Sequence, residues 1–262
     1  MSFWDHFDVL RRVVIRIAAV VIIAAVLLFM FMPQIFDAVV VAPCRGSFPL
    51  YKLFDAISGS DSSSFGIDLI NVNLASQLFV HLSLSFHLAL VISFPIVIYF
   101  IWTFIRPALY QRERRGVVVA FNFGLLMFYI GVAVGYFVVF PLTLRFLATY
   151  QLSSLIPNVI TIDSYMENFL SIIFIMGILF EIPVLGWLLG RIGLLKRSFF
   201  TKYRRHAVVL LLVLAAIITP TGDPFTLAIV MLPLYLLYEL TAKVVPSDDF
   251  ALHIESTSVK KV

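Results

Sequence analysis

The sequence predicts an all-α integral membrane protein of six transmembrane helices, the last two short, on three observations. The chain of 262 residues is 61% hydrophobic and only 13% charged, with a mean hydropathy of +1.03 that ordinary soluble domains do not reach. Its charges are gathered in clusters separated by apolar intervals of about the 20 residues a spanning helix needs. Lysine and arginine, finally, accumulate in every second segment between those intervals, the pattern of a multi-pass protein with positive segments held in the cytoplasm.

Taken in order, the uncharged interval between Arg16 and Asp37 makes the first span. The opening MSFWDHFDVL carries Asp5 and Asp8, and no small-residue cleavage site follows the first apolar run. That run therefore reads as a retained anchor. The polar, turn-rich segment from about Gln34 to Asn73 reads as an extracytoplasmic cap with short helices at most. Gln77 to Ile101 forms the second span, the interval from Arg115 to Arg145 the third, and Glu167 to Arg191, broken only by Glu181, the fourth. Two shorter intervals, Arg205 to Asp223 and Asp223 to Glu239, form a hairpin around Thr219-Pro220-Thr221-Gly222. About 15 residues reach only about 23 Å, less than the hydrocarbon thickness of about 30 Å, so a thinned bilayer or a sheltered hairpin is expected there.

All but Arg45, Lys52 and Arg145 of the 19 lysines and arginines fall on one side under this count. Both termini are thus expected in the cytoplasm, in a single membrane domain spanning 1–262, with a short cytoplasmic segment 1–12 and a disordered tail 244–262. Topology accounts for the formal net charge of +4, so the basic excess gives no argument for nucleic acid. A lone Cys44 excludes an internal disulfide, and no Cys/His spacing suggests a metal. His81 and His87 lie six positions apart, about 120° around a helix, and read as bundle polar groups rather than ligands. Hydrolase, protease and nucleotide-binding motifs are missing from the sequence. No catalyst and no cofactor are expected.

The candidate functional groups are carboxylates without a local partner. Around Glu181 the helix neighbours are Gly177, Ile178, Val184 and Leu185, none with a side-chain donor. Pro183 removes the amide that would bond the carbonyl of Leu179, so a kink, a free carbonyl and a carboxyl group are expected in one turn. Intramembrane carboxylates of this kind usually mark function; the alternative is a neutral Glu181 bonded within the bundle. Glu113, in RPALYQRERRG, has Leu109, Tyr110, Gly116 and Val117 as helix neighbours, which leaves it open to a cationic guest or else a solvated loop charge. Other acids have structural readings: Glu239 as a helix-end pair with Lys243, Glu167 in a capping box opened by Ser164, and Asp223 as an N-cap ahead of Pro224.

FHLALVISFPIVIYFIWTFIRPALYQRERR (Phe86 to Arg115), FYIGVAVGYFVVFPL (Phe128 to Leu142), FEIP (Phe180 to Pro183) and TPTGDPFT (Thr219 to Thr226) resemble, in matching order, the TatC family. These are polytopic receptor subunits of the twin-arginine protein translocase. The resemblance implies a concave six-helix bundle in the bacterial cytoplasmic membrane. It implies a non-enzymatic receptor that binds twin-arginine signal peptides of folded cargo, recruits single-span TatA/TatB-type subunits within an oligomer, and draws on the proton-motive force. It places signal recognition on Glu113 with Phe104 nearby, Glu181 and Pro183 at the groove interior, Pro43 in the outer loop with Cys44 where leucine is usual, and Asp223 at the outer end of the hairpin. The family's N-terminal His-Leu-x-Glu-Leu-Arg box is met by His6-Phe7-Asp8-Val9-Leu10-Arg11. Arg11 matches, the expected glutamate falls on Val9, and Asp8 lies one position earlier, which puts the weight of the acidic contact on Glu113.

The rival class is a proton-coupled secondary transporter using Glu181, against which stands the lack of a repeat between the two halves. A purely structural scaffold is the third reading.

Overall fold

The computed structural model describes residues 3–58, 65–105, 111–153, 155, 156, 158–191, 194–220 and 222–246, without the side chains of 3–6, 105 and 111–117. Among the described residues five helical runs are long and apolar enough to cross a membrane: Phe7–Cys44, Ser76–Phe104, Val118–Thr149, Ile162–Arg191 and Pro224–Val244. The protein is an all-α polytopic membrane protein, and it divides into two compact units, 1–110 with 134–174 and 111–133 with 175–262.

In the first unit, α1 (Phe3–Ile35) packs along α3 (Ser76–Ile105). Large apolar side chains such as Ile22, Val26 and Met30 stay exposed on α1, as a lipid-facing helix requires. Pro33 lies inside α1 and cannot donate to the carbonyl of Phe29 four residues back. His81 of α3 supplies the missing donor, its Nε2 lying 2.9 Å from the Phe29 oxygen, with its ring stacked on Phe29 at 3.8 Å. His87 bonds the Ser83 carbonyl at 2.8 Å. Both histidines are satisfied bundle polar groups, as expected.

Beyond α1 the chain widens into a π turn, Phe36–Val40, then a 3₁₀ turn, Ala42–Cys44, and α2 (Pro49–Ser58). Three tyrosines bind the carbonyls of these irregular turns: Tyr136 to Val39 at 2.8 Å, Tyr165 to Val40, and Tyr51 to Pro43 at 3.0 Å. Tyr51 also reaches the Pro141 carbonyl, 3.1 Å away, at the start of α5 (Phe140–Thr149). Their rings pack with Phe48, Phe140 and Phe169, and Arg145 lies 5.4 Å from the Tyr51 ring centre. Pro43 is buried in this cluster. The cap also holds a minimal parallel pair, β1 (Leu69–Ile70) with β2 (Ile160–Thr161), the only strands among the described residues.

The second unit contains the greater part of α4 (Gln111–Val134), together with α7 (Ile182–Arg191), α8 (Arg197–Lys202), α9 (Arg204–Ile218) and α10 (Pro224–Val244). α10 packs on α7, α9 and α8. Gly186 and Gly190 of α7 face Thr241 and Val245, so backbones approach where a methyl group would not fit. α9, at 15 residues, is the short element the charge spacing predicted, about 23 Å long at about 1.5 Å per residue.

Three local readings are corrected. α10 extends 21 residues through Glu239, which does not end it. Glu239 pairs with Arg204 at 2.9 Å and takes a bond from Tyr235, rather than pairing with Lys243. The fourth span begins earlier than Ser164: α6 spans Ile162–Leu179, and the Ser164 amide donates to Thr161 Oγ1 at 3.3 Å, so Thr161 is the cap and Glu167 an exposed interior position.

Candidate functional site

The fourth span breaks at its carboxylate. α6 ends at Leu179 and α7 starts at Ile182, and between them the Glu181 amide turns back to Ile178 at 3.0 Å instead of Gly177. The Glu181 carbonyl accepts from Leu185 at 2.9 Å and so starts α7. Pro183, buried in the first turn of α7, has no amide for the Leu179 carbonyl. The span is broken where the sequence places a kink, by Pro183 and the tightened turn before it.

The side chain of Glu181 lies against α4 at Gly124. A Cβ placed on Gly124 would stand 2.7 Å from Oε2 and 3.4 Å from Oε1. Along the same helix Phe128 packs against Gly177, and Gly131 faces the Met176 carbonyl and Phe180. The positions 124, 128 and 131 recur at four and three residues and so share one face. Polar side chains elsewhere in the spans bond carbonyls one turn back, as Ser85 does to His81, Thr219 to Ala215 and Thr241 to Leu237, the usual solution where water is scarce. Glu181 has no such solution. Its Oε1 is buried without a hydrogen-bond partner, the one carboxylate oxygen among the four such atoms of the described residues.

The remaining candidates belong to other elements. Asp223 is an N-cap: its carboxylate accepts from Thr226 at 2.8 Å, Pro224 takes the first helical position, and Gly222 before it adopts φ 57°. Asp8 and Arg11 are exposed on α1. Phe104 is half-buried at the end of α3. Glu113 falls in the opening turns of α4, and its side chain lies outside the described residues. No group of three or more potential metal ligands occurs among the described residues. Sequence reasoning missed Gly124 and the tyrosines at 51, 136 and 165. The signals were present: glycines seven apart in the third span, and tyrosine hydroxyls in apolar surroundings that must find an acceptor.

The family model described as Sec-independent protein translocase protein (TatC) matches residues 5–233. The Sec-independent protein translocase protein TatC of Blattabacterium sp. subsp. Periplaneta americana is 33% identical over 252 residues, covering 92% of this chain and 93% of that protein. Its counterpart in Deinococcus radiodurans is 31% identical over 239 residues, covering 90% and 83%. A crystal structure of the twin-arginine translocase receptor TatC superposes with a TM-score of 0.73 at 28% identity, covering 91% of this chain and 97% of the other.

Proposed function

The chain belongs to the TatC family of Sec-independent protein translocase proteins, and from this we propose that it is the receptor for twin-arginine signal peptides. It is a core subunit of the twin-arginine translocase, a protein-transport component placed in the bacterial cytoplasmic membrane. The observation that carries the receptor reading is that the family match encloses Glu113 and the FEIP break at Glu181 in one alignment over most of the chain. The secondary-transporter alternative finds no support among the relatives named above.

In this reading Glu113 supplies the anion for a guanidinium fork, which accepts two parallel hydrogen bonds from arginine where a lysine offers a point charge. The family resemblance assigns Phe104, Asp8 and Arg11 to the same recognition role. The protein performs no covalent chemistry of its own; it selects cargo and admits single-span TatA/TatB-type subunits. Glu181 is the docking group for such a helix. Its unpaired oxygen supports this, because a polar residue on an incoming helix would satisfy it inside the membrane. Pro183 keeps the turn open, while Pro43 holds the outer loop and Asp223 caps the second helix of the hairpin.

The test is binding of a fluorescent twin-arginine signal peptide to the protein in nanodiscs, against a Lys-Lys twin and against Glu113→Ala. Arginine-preferring binding that weakens at least about tenfold in Glu113→Ala is expected, equivalent to about 1.4 kcal/mol. Equal binding of the two peptides by folded protein would refute the assignment.

A further inference from the structure

We propose that Gly124 is the positioning residue for Glu181: the space left by its missing side chain stows the carboxyl group against α4 and holds Oε1 unpaired until a donor arrives. This rests on the docking role proposed above for Glu181, but it makes its own claim about where the carboxyl group is kept.

The glycines of this contact differ in what opposes them. At Gly131 a Cβ would meet the Met176 backbone carbonyl at 2.6 Å and Phe180 Cβ at 2.8 Å. These are rigid parts of the partner segment, so Gly131 is needed for close helix approach. At Gly177 the obstacles are the Phe128 ring and Val132, each at 2.9 Å, again packed apolar groups. At Gly124 all three nearest atoms belong to the Glu181 carboxyl group, with Oε2 at 2.7 Å and Cδ at 3.5 Å. That group ends a flexible side chain. A methyl group at 124 would therefore displace the carboxylate by rotation about its side-chain bonds while leaving the helices in place.

The stowed position also explains the orphaned oxygen. The α4 backbone at 124 has its amide and carbonyl committed to the helix, and a glycine offers no side-chain donor. Gly124 thus gives the carboxyl group room without satisfying it. Serine or threonine there would have filled the same space with a hydroxyl donor. The arrangement separates two requirements, holding the acid at one point of the kink and leaving its bonding capacity free for a partner helix.

The inference is tested by the rate at which a hydrophobic carbodiimide modifies Glu181 in nanodiscs, followed by peptide mass spectrometry with Glu181→Gln as blank. Gly124→Ala should raise the rate several-fold, because the carboxyl group leaves its recess. Export of a twin-arginine-signalled reporter should fall in Gly124→Ala as in Glu181→Ala. Equal labelling rates in wild type and Gly124→Ala overturn the inference. If labelling accelerates while Glu181→Ala exports normally, the recess stands and the docking role falls. Should Gly124→Ala prove unstable, side-chain length decides: Glu181→Asp in that background should restore the thermal midpoint by retracting the carboxyl group, whereas Glu181→Gln, of unchanged length, should not. Equal midpoints for the two double variants overturn the inference as well.

Discussion

Tyr51 shares its single hydroxyl proton between the carbonyls of Pro43 and Pro141, 3.0 and 3.1 Å away, and is wholly buried while doing so. Tyr51→Phe should cost about 1–3 kcal/mol, since two carbonyls lose their donor in a dry cluster; the thermal midpoint of the purified protein measures it. Burial also pushes the Tyr51 hydroxyl's ionisation well above its ordinary value. The stabilisation is therefore complete below about pH 10, where a free tyrosine ionises, and declines as pH rises past it toward the raised folded value. Tyr51→Phe should abolish that part of the alkaline loss. His81 allows a cleaner experiment. It bonds the Phe29 carbonyl that Pro33 cannot reach, so His81→Ala should cost about 1 kcal/mol alone and clearly less once Pro33→Ala restores a backbone amide. Additive effects in that cycle would contradict the account. Pro33 was visible as a breaker in the sequence, whereas its remedy lies 48 positions along the chain, on a different helix.

Among the helices, apolar intervals located the elements well, and their ends less well. Asp223 and Pro224 start α10 as their side chains dictate, because a cap acts within its own turn. Glu239 misled because its partner, Arg204, comes from α9; once paired, the charge no longer limits the helix. Ser164 misled for a similar reason, as Thr161 three residues earlier offers the same hydroxyl and is aligned by the β1–β2 pair. Close approach of α4 to the end of α6 depends on Gly131, so Gly131→Ala should destabilise by about 1–3 kcal/mol through overpacking. Gly124→Ala should cost much less, for the flexible carboxyl group can yield. A guanidinium or urea unfolding series on the two variants distinguishes them, and equal losses would show that the Glu181 side chain is as confined as backbone.

For the molecule as a whole, thiol labelling tests the expected topology. In a Cys44→Ala background, a membrane-impermeant thiol reagent applied outside should label Ser47→Cys and spare Ser198→Cys, with the reverse in inverted vesicles. Labelling of both from one side would break the six-span count, in which the 15-residue α9 must cross a thin region of bilayer. Membrane residence, the order of the spans, the break before Pro183 and the lack of a local partner for Glu181 were all legible in the chain. Each depends on composition or on neighbours within one turn, where hydrophobic transfer and backbone hydrogen bonding act locally. The recess at Gly124, the His81 bond to Phe29 and the tyrosines bound to the turns at Val39, Val40 and Pro43 were settled only by folding. All but the Tyr51 bond to Pro43 join segments far apart in sequence, and a polar group buried away from water takes whichever donor or acceptor packing brings within about 3 Å.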